Sequence, residues 1–216
     1  MTKIGIIGAT GAAGKEITKE AVVRGLETTA IVRNLDKAKE LFTDSVSYLV
    51  KDAFALTKED LQDFDVIIDA YAPSDVAKAY LHVDLATRLI AFFRTEKSPR
   101  LFFILGAGSL SNGKEGHVLD DLENIPDAQS WIEVPRQQAK EYAILSTVEN
   151  VDWVGVSPGL LLKDGDKKSS ILGTNTVLFN NNGVSETSTG TLAAAIIDEI
   201  LEPKHIQERF TVIDKS

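Results

Sequence analysis

Three glycines at a spacing of three, Gly8, Gly11 and Gly14, stand in the run Gly8-Ala9-Thr10-Gly11-Ala12-Ala13-Gly14. A turn this tight needs backbone angles that a Cβ resists, and it lets a ligand approach the main chain closely. Ahead of a helix, its free N–H groups and the positive end of the helix dipole suit a diphosphate. The run follows the apolar Lys3-Ile4-Gly5-Ile6-Ile7 and precedes a stretch with Ala13, Ile17 and Ala21 on one face. That strand–turn–helix context gives the pattern its meaning, although the spacing is G-x-x-G-x-x-G rather than G-x-G-x-x-G. Gly8, Thr10, Gly11, Ala12, Ala13 and Gly14 are therefore expected to line a dinucleotide site. The competing reading is a glycine turn that only joins strand to helix.

The second strand ends in Ile31-Val32-Arg33-Asn34. Sites that prefer NAD place an Asp or Glu here on the ribose 2′-hydroxyl. A carboxylate would repel a 2′-phosphate, whereas a guanidinium binds it through two charge-assisted hydrogen bonds. Arg33 thus points to NADP, with Lys37 in support; an ordinary exposed arginine is the alternative. Asp52, just after the third strand, could accept from the adenine amino group, with Ala53 beside it. Tyr71 and Ala72 follow the fourth strand, either along the cofactor or simply in the turn that starts the next helix.

The elements that must position these groups read as alternating strands and helices. Apolar runs at Lys3–Ile7, Thr29–Val32, Val46–Val50, Val66–Ala70, Leu101–Leu105, Trp153–Val156 and Phe210–Ile213 lack polar alternation, as strands covered on both faces do. Between them, helical patterns cover the segment ending near Gly25, then Asp36–Phe42, Ala77–Phe93, Val134–Val148 and Thr191–Leu201. The alternation predicts an α/β fold: one doubly wound, mostly parallel sheet with helices on both faces, in a single Rossmann domain over residues 1–216. Gly106–Ile132 and Pro158–Thr187 break the rhythm as long polar loops. Both leave the carboxyl edge of the sheet, where ligands bind in open α/β folds, and they are expected to build the substrate site.

Composition excludes several other classes. The 216 residues carry a formal net charge of −9 and no basic run beyond Lys167-Lys168, which argues against nucleic-acid binding. With no cysteine, disulfides, zinc–thiolate sites and cysteine nucleophiles are absent. His82, His117 and His205 have no ligand spacing, so no metal is expected. His82 and His205 read as surface residues, while His117 lies in a polar loop that could reach a substrate. No apolar run approaches the roughly 20 residues of a membrane span, and the N-terminus shows no signal pattern, which makes the cytoplasm the expected compartment. Oligomeric state has no signature in the sequence.

Lys3–Arg33 resembles the atypical short-chain dehydrogenase/reductase superfamily. Leu105-Gly106-Ala107-Gly108-Ser109-Leu110, Val151-Asp152-Trp153-Val154-Gly155-Val156-Ser157-Pro158-Gly159 and Gln207-Glu208-Arg209-Phe210-Thr211-Val212 narrow the likeness. They are similar to the small NAD(P)H-binding group described as NADH-flavin reductases, near the NmrA-like and biliverdin-reductase-B-like proteins. The resemblance spans nearly the whole chain. It implies that Gly106 and Pro158 flank the nicotinamide, with the main chain at Pro158 pinning its carboxamide. It also places Ser109 where the superfamily's catalytic serine follows the fifth strand. Ser109 could bond a substrate carbonyl or flavin edge, or only satisfy its own turn. The superfamily's Tyr-x-x-x-Lys pair is missing: four residues after Tyr48, Tyr71, Tyr80 and Tyr142 stand Asp52, Asp75, Asp84 and Ser146. Lys140 remains as a candidate contact to the ribose.

Three functions fit these residues. The first is an oxidoreductase passing hydride from NADPH to a small-molecule acceptor, a flavin or a quinone, for which orientation matters more than a protein acid. The second is a non-enzymatic NmrA-like sensor of NADP redox state. The third is an epimerase or dehydratase with substituted catalytic residues.

Overall fold

The apolar pentapeptide Lys3–Ile7 forms β1, near the middle of an eight-stranded sheet, in a computed structural model that describes every residue except Thr43. The chain continues through α1 (Ala12–Val23), β2 (Glu27–Val32), α2 (Leu35–Leu41), β3 (Val46–Val50), α3 (Lys58–Leu61) and β4 (Val66–Asp69). It then forms α4 (Leu81–Phe93), β5 (Arg100–Ile104), α5 (Val118–Leu122), α6 (Glu133–Leu145) and β6 (Trp153–Pro158). β7 (Leu161–Lys163), β8 (Ser170–Gly173), β9 (Glu186–Ser188), α7 (Thr189–Leu201) and β10 (Glu208–Asp214) complete it.

The sheet order is β3-β2-β1-β4-β5-β6-β10-β8. Every neighbouring pair is parallel except β10–β8, so the doubly wound, mostly parallel arrangement expected from the alternation is the one present. Strand order reverses between β1 and β4, which opens a crevice at their carboxyl ends. Because the strands are covered on both faces, side chains alternate between two cores. Ile4, Ile6 and Phe102 pack with Ile17 of α1 and Ile196 and Ile197 of α7. Ile67, Phe103 and Trp153 pack on the other side with Leu89 and Phe93 of α4 and Leu145 of α6. Each such fully buried side chain stabilises the fold by about 1.5–3 kcal/mol.

Several boundaries differ from the pattern reading. The expected helix Ala77–Phe93 splits into a single 3-10 turn at Val76–Lys78 and then α4. α6 stops at Leu145, and α7 begins at Thr189 because Ser188 caps it, its Oγ accepting from Thr191 N at 3.3 Å. The two long loops also hold regular structure. α5 lies in the first. In the second, β8 becomes the antiparallel edge of the main sheet, and β7 pairs with β9 in a separate two-stranded parallel sheet. β7 is exposed along its whole length, so it has no buried face to write a period-2 signal into the sequence.

Candidate functional site

Gly8 ends β1 at φ +74°, and a Cβ there would lie 2.7 Å from the carbonyl oxygen of Ala70 on the neighbouring strand's exit. Gly14 lets α1 settle on the turn: its Cβ would stand 2.3 Å from Gly8 O. At Gly11 a Cβ meets only Gly8 O, at 3.2 Å, so this residue faces the open crevice. Gly11 N donates to Gly8 O at 2.9 Å and closes the turn. Gly11 also caps α1 without any side-chain hydrogen bond, and α1 has no acidic residue in its first turn. The helix end is thus left to an outside anion, and the backbone is bare where a diphosphate must approach. The residues fit a dinucleotide.

The crevice has a volume of about 440 Å³. Gly8, Thr10, Gly11, Ala12 and Ala13 form its floor, and Arg33, Lys37 and Ala53 line the end toward β2 and β3. Tyr71 and Ala72 line the side toward β4. Tyr71 meets Phe54 edge-on, with ring centres 5.6 Å apart, and burial raises its phenol pKa. The Arg33 side chain is 76% exposed, its guanidinium reaching no closer than 3.9 Å to Asp52 Oδ2. Asp52 stands at the edge of the crevice rather than in it, with Oδ1 accepting from Phe54 N at 2.9 Å to cap a short 3-10 turn.

A second pocket, of about 690 Å³, opens beside the first. Ile104, Gln138 and Leu162 line both, so the two spaces adjoin along these side chains. Gly106 and Pro158 line the second pocket, and its walls come from both long loops: Trp131 and Pro135 on one side, Leu160, Leu161 and Phe179 on the other. Gly106 leaves room for the Gln138 side chain where it stands, since a Cβ would fall 2.3 Å from Gln138 Oε1 and make that flexible end turn aside. The Gln138 side chain makes no hydrogen bond to any described residue, which leaves its carboxamide free where the two spaces adjoin.

Other expected residues lie elsewhere. Ser109 lines neither space; its Oγ accepts a 2.6 Å hydrogen bond from Arg209 Nη1. Lys140 is on the exposed side of α6, turned away from Gln138 by the helical pitch. His117 sits at the N-terminus of α5, its N donating to Asp120 Oδ2 at 2.7 Å, and lines neither pocket. His82, expected at the surface, is buried and borders the crevice; burial lowers its pKa to about 4, so the imidazole is neutral. His205 is half-buried, stacked on Phe210 and bonded to Glu199 at 2.8 Å. Among the described residues no group of His, Asp and Glu could hold a metal ion. No described helix is long and apolar enough to cross a membrane.

Four residues of the site region carry little sequence signal. Gln138 and Glu141 sit in an otherwise ordinary amphipathic helix. Asp69 lies within the run read as the strand Val66–Ala70, where nothing local marks it out, and it is the last residue of β4. Burial pushes its pKa up to about 7, against one hydrogen bond from Tyr71 N. Glu141 is raised well above the usual carboxylate range by burial and by Asp69, and its Oε2 has no partner among the described residues. Arg209 is buried without a carboxylate, held by Ser109, by Asn175 Oδ1 at 2.9 Å and by the Tyr142 ring at 3.7 Å. Burial lowers its pKa to about 10, which keeps it charged at neutral pH.

With the bare glycine turn and the open crevice in place, the sequence comparison is decisive: residues 8–203 match the family described as NAD(P)H-binding. The chain belongs to the NAD(P)H-binding family. Its architecture is that of the atypical short-chain dehydrogenase/reductases. The uncharacterised protein YwnB of Bacillus subtilis is 36% identical over 218 residues, 99% of each chain. A crystal structure from Lactobacillus casei superposes over 100% of both chains with a TM-score of 0.91 at 35% identity. One from Streptococcus pneumoniae, a protein proposed to be an NADH-flavin reductase, gives 0.88 at 33%, again over 100% of both. A third, from Bacteroides thetaiotaomicron and proposed to be an epimerase, gives 0.86 at 27%, covering 100% of this chain and 98% of that one.

Proposed function

We propose that this protein is an NADPH-dependent oxidoreductase, built as one domain over residues 1–216, that passes hydride to a flavin or a quinone. The observation that carries the reading is that the glycine-turn crevice, with its cations, adjoins the apolar pocket along Ile104, Gln138 and Leu162. A dinucleotide laid along Gly8–Ala13 would bring its nicotinamide to that junction, and a flat apolar ring in the second pocket would lie against it. The pocket's volume and mostly apolar walls are those of small-molecule sites in general. The resemblance of the chain to the pneumococcal protein points the same way.

Arg33 and Lys37, at the end of the crevice where the adenosine ribose would lie, favour the 2′-phosphate of NADPH. No carboxylate of β2 faces that end to hold a 2′-hydroxyl instead.

The bound cofactor would supply hydride; the chain's part is to bind, orient and exclude water. Gln138 offers a free amide N–H₂ and carbonyl at the junction, suited to hold the nicotinamide carboxamide or a carbonyl of the acceptor. Gly106 permits that placement. No tyrosine–lysine pair is needed, because a flavin or quinone accepts hydride into its own low-lying orbital once the rings are held together.

The test is NADPH oxidation, followed by the absorbance of the reduced nicotinamide, with riboflavin or menadione present. Turnover well above the mixture without protein is expected. Background rates with every acceptor would sink the reductase reading and leave redox sensing as the surviving one.

A further inference from the structure

We propose that the acceptor pocket takes an uncharged planar acceptor, an isoalloxazine without phosphate or a quinone without ionic substituents, and discriminates against phosphate-bearing flavins. The inference rests on the reductase reading and narrows its substrate class.

The molecule sorts its charges unevenly between the two adjoining spaces. Arg33, Lys37 and Lys51 line the cofactor crevice together with the N-terminus of α1. The acceptor pocket has no lining cation at all; Glu186 is its one charged lining residue. The nearest ammonium along β7 is that of Lys163, and it is paired with Glu186 itself. On α6, Arg136 is engaged by Glu123 at 2.7 Å and by Glu133 at 3.6 Å, and it too lies outside the pocket lining. A phosphate carried to this rim would therefore meet a carboxylate among the lining residues and no lining cation, with Lys163 and Arg136 already held in ion pairs. The overall charge of −9 adds to the repulsion. With the dinucleotide bound, the cations of the crevice are committed to its own phosphates.

The rest of the lining suits a neutral ring. Trp131, Pro135, Leu160 and Phe179 offer flat or branched apolar surface, and Phe179 stays 53% exposed at the mouth, where a ring face can cover it. The ribityl hydroxyls of riboflavin can leave through the open rim and remain hydrated, so their burial costs nothing.

The reaction balances without an acidic side chain in the pocket. The C4–H bond of the dihydronicotinamide breaks and its electron pair travels with the hydrogen to the acceptor. NADP⁺ remains, and the acceptor, now an anion, takes its one proton from water at the rim.

Binding tests the inference without relying on turnover. Protein saturated with NADP⁺ is dialysed to equilibrium against riboflavin or FMN, at low salt and at high salt. FMN is expected to bind about tenfold more weakly at low salt, as a doubly charged group beside a carboxylate in partly hydrated surroundings implies. The gap should narrow as salt screens the charges. In Glu186→Gln, which removes the carboxylate and frees the Lys163 ammonium, FMN affinity should rise several-fold relative to riboflavin. FMN binding to the native protein as tightly as riboflavin, or a preference that survives Glu186→Gln unchanged, would overturn the inference. Failure of riboflavin, and of menadione dialysed in the same way, to bind the NADP⁺ complex would overturn the reductase reading itself.

Discussion

Arg209 Nη1 donates to Ser109 Oγ at 2.6 Å across a separation of one hundred residues, and the same guanidinium reaches Ser109 O at 3.3 Å. The serine that the resemblance put forward as a catalytic hydroxyl is thereby a ligand of a buried arginine. Arg209 also binds Asn175, so it ties the first long loop to the second. Ser109→Ala is expected to lower stability by about 1–3 kcal/mol, the cost of leaving a charged donor short of a partner. Turnover with NADPH and a quinone should stay within about threefold, since a hydroxyl outside the reacting space contributes no transition-state interaction. Thermal unfolding and steady-state rates check this together. A stable variant with turnover reduced a hundredfold would restore Ser109 to the chemistry.

The three glycines should separate by experiment. Gly11→Val places a branched side chain in the crevice but meets only Gly8 O at 3.2 Å, so it should fold and lose nucleotide binding. Gly14→Ala puts its Cβ 2.3 Å from Gly8 O, and the helix must shift to admit it. That variant should melt well below the native protein. Calorimetric titration with NADP⁺ and thermal melts distinguish the two; native-like nucleotide affinity in Gly11→Val would remove the turn from the binding site.

Arg33→Asp should weaken NADPH far more than NADH. It replaces charge-assisted hydrogen bonds to the 2′-phosphate with repulsion, and a loss of about 1.5–3 kcal/mol corresponds to roughly ten- to a hundredfold in affinity. The Asp52 carboxylate, 3.9 Å from Arg33, would be left facing a second acid and should add to the loss. Equal losses for the two nucleotides, measured by fluorescence titration, would show that Arg33 does not read the phosphate.

The buried carboxyl of Asp69 makes stability depend on pH. Its folded pKa of about 7 lies above its ordinary value of 3.8. Below pH 4 both folded and unfolded chains hold the proton. As pH rises toward 7 the unfolded chain releases it first, so stability falls across this window and levels off above it, by up to roughly 4 kcal/mol. Glu141, raised for the same reason, acts in the same direction. In Asp69→Asn the decline between pH 4 and 7 should shrink to the part due to Glu141. Denaturant unfolding at several pH values reads it; an identical decline in the variant would show that Asp69 is not the group.

What was legible in the sequence is what is local. The glycine turn, Arg33 and the parallel order of the strands follow from contiguous residues and short-period patterns, and each lies where the backbone puts it. Arg209 and Ser109 share no local signal, because their bond exists only after β10 has docked beside β6. His82 reads as an exposed helix residue until the fold buries it against the crevice. Gln138 and Lys140 are two residues apart on one helix, and only the rotation of α6 decides which of them faces the junction. β7 escapes notice because it is exposed along its length, and β9 because its buried positions, Thr187 and Ser188, are polar and leave no apolar period to read.

The most direct test of the reductase account is a single-turnover experiment without oxygen. Protein loaded with one equivalent of NADPH is mixed rapidly with riboflavin, and the loss of oxidised-flavin absorbance is followed together with nicotinamide oxidation. The account predicts that both change in one phase, saturable in riboflavin and slowed when NADPH carries deuterium at C4. Flavin reduction no faster than in the same mixture without protein would contradict it.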